Sequence, residues 1–61
     1  MIGRRVALVM VDGSGQHADV LQMEDGRIKI AEVRDGHRVS GGVEWIPLAS
    51  IRTINILPEE A

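Results

Sequence analysis

Three Asp-Gly pairs, Asp12-Gly13, Asp25-Gly26 and Asp35-Gly36, interrupt runs rich in Val and Ile and limit the ways this chain can fold. Asp-Gly between such runs is a strong hairpin signal, because Gly accepts the positive φ that tight primed turns require. With Gly41-Gly42 added, the punctuation divides the chain into five short strands, the pattern of a small barrel or sandwich. The apolar content points the same way. Val and Ile number seven each, and β-branched side chains favour extended backbone.

The 61 residues make one domain, 1–61, close to the lower size at which a single core holds a fold without staples. There is no Cys, so neither disulfides nor thiolate metal sites can supplement that core. The net charge of −2 opposes a binder driven mainly by phosphate attraction, although a local basic patch is compatible with it. No apolar run approaches the ~18 residues of a membrane span. Arg4-Arg5 and the apolar run to Val11 are too short for an export signal, so we expect a soluble cytoplasmic domain.

Val6-Ala7-Leu8-Val9-Met10-Val11 is apolar without alternation, which implies a strand covered on both faces, the second by a partner subunit. Gln16 to Glu24 reads as the second strand. Polar and apolar residues mix on both of its faces, so a bulge or bend is expected. A helix over Asp19–Glu24 is the alternative, but Gly15 and Gly26 leave it at most about three turns. Arg27 to Arg34 is the third strand, with Ile28 and Ile30 inward, Arg27 and Lys29 outward, and a slip at Ala31 that turns Ala31 and Val33 inward. Asp35 to Gly42 is either one long loop or a short hairpin extension centred on Val39. Val43 to Leu48 is the fourth strand, with Pro47 at its end or at a sheet edge. A tight link at Ala49-Ser50 leads into Ile51–Leu57, and Pro58 closes the set before a frayed tail.

Several residues are candidates for contact with an anion or nucleic acid. Arg34, His37 and Arg38 gather around a Gly-rich segment, and Arg27 and Lys29 share a strand face. A solvated loop and an ordinary charged face are the plainer readings. His17 and Asp19 fall on one face but lack the ligand count of a metal site, and Gly13-Ser14-Gly15 lacks the context of a nucleophile elbow. Hence no catalytic constellation, cofactor or metal is expected. Trp45, the sole aromatic apart from two His, is either a core anchor or an interface residue. Ile54 and Ile56 on one face of the last strand, with Leu57 on the other, are candidates for a subunit interface.

The order of elements resembles the SH3-like small barrels, and Val43 to Ile56 looks most like the closing strand pair of Sm-like proteins. PRC-type barrels carry a similar closing pattern. The resemblance implies an all-β fold, a five-stranded SH3-like (Sm-like) small barrel. It also implies rings of six or seven subunits, in which the last strand of one subunit pairs with the fourth strand of its neighbour. The family's RNA-binding residues are not reproduced. Asp25-Gly26-Arg27 has no companion Asn, Pro47-Leu48-Ala49-Ser50 contains no Arg-Gly, and the chain has no Tyr or Phe for stacking. The expected function is therefore a non-enzymatic, homo-oligomeric interaction or assembly module. The alternative is an Sm-like RNA-binding protein forming a ring.

Overall fold

The computed structural model describes residues 1–58. It contains five strands, β1 (Arg5–Met10), β2 (Gly15–Glu24), β3 (Arg27–Arg34), β4 (His37–Pro47) and β5 (Ile51–Ile56), with one 3-10 turn at Leu48–Ser50. All neighbours are antiparallel, in the order β4-β3-β2-β1-β5. The fold is all-β, and the sheet is not closed: β4 and β5 are its two edges.

Each Asp-Gly pair lies between consecutive strands. At Asp35-Gly36 both φ angles are positive, 53° and 83°, which is the geometry of a type I′ turn. Its right-handed twist matches that of the flanking strands, so Arg34 pairs directly with His37. Asp12 closes its loop differently. Its Oδ1 accepts bonds from the Ser14 amide at 2.9 Å and the Ser14 hydroxyl at 2.7 Å, a side-chain imitation of a backbone turn. No helix forms over Asp19–Glu24; these residues complete β2.

Period-2 alternation along β3 defines the two faces of the sheet. Val6, Leu8, Ala18, Val20, Ile28, Ile30 and Ile46 form the buried core on the inner face, with Met10, Leu48, Ile51 and Ile54 packed against it. The expected irregularity in β2 is present as a register shift between Val20 and Gln22. It allows Met23 to pair with Ile28 while Val20 pairs with Ile30.

Two expectations require correction. Ala31 and Val33 are buried, but they do not join Ile28 and Ile30. The β2–β3 register runs without a break from Val20↔Ile30 to His17↔Val33, so β3 has no slip, and Ala31 and Val33 share the outer face with Arg27 and Lys29. The extra residues belong to β4, where the partner shifts from Val43 opposite Ala31 to Arg38 opposite Val33. Gly41 and Gly42 make this bulge. Gly41 has φ 74°, and a Cβ on Gly42 would lie 3.0 Å from the Val39 carbonyl oxygen and 3.1 Å from Glu32 Cβ. Second, β4 starts at His37 instead of Val43, so the hairpin-extension alternative is the one observed.

Candidate functional site

The two sheet edges and the outer face are where this molecule presents unused groups. Leu57 N donates to the Arg5 carbonyl at 2.9 Å. Alternation along an antiparallel ladder then turns the amides of Ile54 and Ile56 away from β1, toward the open side of β5. On the opposite edge, Leu48 N donates to the Gly26 carbonyl at 2.9 Å, so the same alternation turns the backbone of Val43, Trp45 and Pro47 to the open side of β4. Pro47 has no amide hydrogen to offer, and at that position no ladder bond is lost. Apolar side chains accompany both edges. Val43 and Ile56 are each 52% exposed, well beyond what a packed strand leaves in water.

Trp45 stands on the outer face, and Ile46 takes the core position beside it. Of the two readings of Trp45, the core anchor is therefore not the one observed. Half-buried, it pairs with Lys29 directly across the strands. The Arg27 guanidinium lies 4.1 Å from the ring centroid and the Lys29 ammonium 5.9 Å from it. Glu24 holds Arg27 in this pose, accepting from its Nε at 3.0 Å and its Nη2 at 2.7 Å. Lys29 makes no ion pair among the described residues.

Farther along the same face, Asp19 is bonded by two arginines. Arg5 Nε donates to Oδ1 at 2.8 Å and Arg5 Nη2 to Oδ2 at 3.3 Å, while Arg38 Nε donates to Oδ2 at 2.8 Å. Arg5 also reaches the Gly36 carbonyl at 3.2 Å. These bonds tie β1, β2 and the start of β4 together across the buried Ala31 and Val33. The Arg5 hydrogen bond, opposed by burial and reinforced by Arg38, holds the Asp19 carboxyl below its ordinary value.

The sequence candidates are thus divided. Arg27 and Lys29 are brought together around Trp45. Arg34, His37 and Arg38 are strand residues flanking a two-residue turn, not members of one loop. Arg38 is on the outer face with Asp19. Arg34 is on the other phase of β3, its Nη2 bonded to Glu32 Oε2 at 2.6 Å, with the exposed His37 opposite. Of the interface candidates, Ile54 packs against the core, Ile56 is exposed, and Leu57 follows β5 half-buried. The role of Asp19 as a two-arginine clasp escaped the sequence reading, since its partners lie 14 and 19 residues away.

A depression of about 500 Å³ lies among Met10–Asp12, Ser14–Gln16 and Ser50. It holds no titratable pair, and its carboxylate, Asp12, is already engaged by Ser14. Among the described residues no group of three His, Asp or Glu side chains could hold a metal ion. Among the described residues no helix is long and apolar enough to cross a membrane. No family model, curated protein or solved structure matches this chain.

Proposed function

We propose that this chain is a non-enzymatic assembly module whose open sheet is completed by copies of itself, the β5 edge of one subunit meeting the β4 edge of the next. The observation that carries the reading is the pair of uncovered edges. Each presents outward backbone amides, at Ile54 and Ile56 on one side and Val43 and Trp45 on the other, next to a large exposed apolar side chain. Long uncovered edges are an aggregation liability, and head-to-tail pairing that closes on itself removes both at once. The partial exposure of Ala7 and Val9 on the outer face of β1 fits the same need for cover. An Sm-like, SH3-like small barrel is the finer fold reading, supported by the strand order and by the short 3-10 link between the last two strands.

The experiment is to replace the outward amide. Ile56→Pro removes an N–H that faces away from β1, so the β1–β5 ladder keeps its bonds while the edge loses a donor. Light scattering is expected to show a multiple of 6.7 kDa for the native chain and a shift to 6.7 kDa for this variant. An unchanged assembly in Ile56→Pro rules out the β5 edge as the contact. The RNA-binding ring stands second. Of the cations grouped around the β3–β4 turn, Arg34 and Arg38 are already held by Glu32 and Asp19.

A further inference from the structure

Among the described residues, the outer face carries a net positive charge and the other positions a net negative one. Arg5, Arg27, Lys29 and Arg38, four of the seven described basic residues, lie on it together with two of the seven described acidic ones, Asp19 and Glu24. Glu32 and Glu44 sit on the other phase of their strands, opposite Ala18 and Ile30. The sole Trp of the chain stands within this positive field, with the Arg27 guanidinium, which donates twice to Glu24, 4.1 Å from its ring centroid.

We infer that the outer face around Trp45 binds single-stranded nucleic acid, with a base stacked on the Arg27–Trp45 pair and a phosphate at Lys29. Unpaired bases stack on aromatic rings and on guanidinium groups alike, and here the Arg27 guanidinium lies over the Trp45 ring, 4.1 Å from its centroid. Glu24 restrains Arg27 before any ligand arrives, which lowers the ordering cost of binding. Lys29, without an ion-pair partner among the described residues, is available to a phosphate 5.9 Å from the ring centroid. Gln22 pairs with Lys29 on the same face and adds an amide able to donate to or accept from a base edge. An acidic peptide would satisfy the charges but leave the ring stack unused, so the stack selects a nucleobase. The site lies within one subunit and does not depend on the assembly reading.

Because Trp45 is the only Trp, its fluorescence reports on the site directly. Titration with a single-stranded uridine or thymidine oligomer at low salt is expected to give saturable quenching, with affinity falling as salt rises. Labelled-oligomer anisotropy then compares variants whose folding is checked by circular dichroism. Trp45→Leu is expected to weaken binding about tenfold or more, with Trp45→Phe recovering part of the loss. Lys29→Gln is expected to weaken binding and flatten the salt dependence, whereas Arg34→Ala, off this face, leaves both unchanged. Binding should persist in Ile56→Pro, which separates this site from the edges. No quenching by wild type at low salt, equal loss in Arg34→Ala, or equal competition by a poly-glutamate peptide would overturn the proposal. Should Trp45→Leu fail to fold, Arg27→Gln and Lys29→Gln decide it, since both are exposed or half-exposed strand positions.

Discussion

Leu8→Ala is expected to remove about half or more of the chain's stability. Leu8 is 1% exposed at the centre of β1, the strand that pairs with both β2 and β5. Truncating a fully buried leucine costs about 2–5 kcal/mol, from lost transfer energy and from the cavity left behind. A domain of this size has a total stability on the order of 3–9 kcal/mol. Among the described residues the core is one cluster of seven buried side chains, and a chain without Cys has no disulfide to share the loss. Urea unfolding followed by circular dichroism measures the effect; a midpoint within a few tenths molar of wild type would show that the β1 core contributes far less than its burial implies. Ile56→Pro should leave the core itself intact, which separates folding from assembly.

The second large effect concerns Asp19. Asp19→Leu removes the acceptor of three bonds from Arg5 and Arg38 and leaves the start of β4 held by its pairing with β3. Hydrogen bonds to charged groups contribute about 1.5–3 kcal/mol each when buried, and the exposure of both arginines places the net loss near the lower end of that range. The pH dependence has a definite sign. The folded carboxyl titrates below its unfolded value, so its contribution is complete above the ordinary Asp pKa of 3.8 and is lost as pH falls through the lowered folded value. Stability of the native chain should therefore decline on acidification below that point, and Asp19→Asn should show less of this decline. Equal acid dependence in the two proteins would remove Asp19 from the account. Amide exchange offers a local view: the β4 residues from His37 to Gly42 are expected to exchange faster in Asp19→Leu than those from Val43 to Pro47.

Much of this architecture is legible in the residues because turns and apolar alternation are local. Asp35-Gly36 encodes its own type I′ turn, and Ile28 and Ile30 encode the inner face of β3. The mixed pattern from Gln16 to Glu24 indicated a bulge in β2, and the register shift after Val20 is that bulge. What escaped depends on pairing between distant segments. Ala31 and Val33 resemble a phase slip when β3 is read alone. In the sheet they stay in phase, on the outer face where Arg5 and Arg38 meet Asp19, and these three side chains come from other positions in the chain. Gly41-Gly42 resembles a loop for the same reason, although it is a bulge within an eleven-residue strand. For the candidate surfaces, Arg27 and Lys29 were identifiable as a pair. That Trp45 stands beside them on the outer face, directly opposite Lys29, follows only from the β3–β4 register.

The completion of the sheet by neighbouring copies is tested most directly by the mass of the native chain in solution. Light scattering across a micromolar concentration range is predicted to give a discrete assembly, a constant multiple of 6.7 kDa. A stable 6.7 kDa monomer throughout that range would contradict the account, because both open edges would then remain in water.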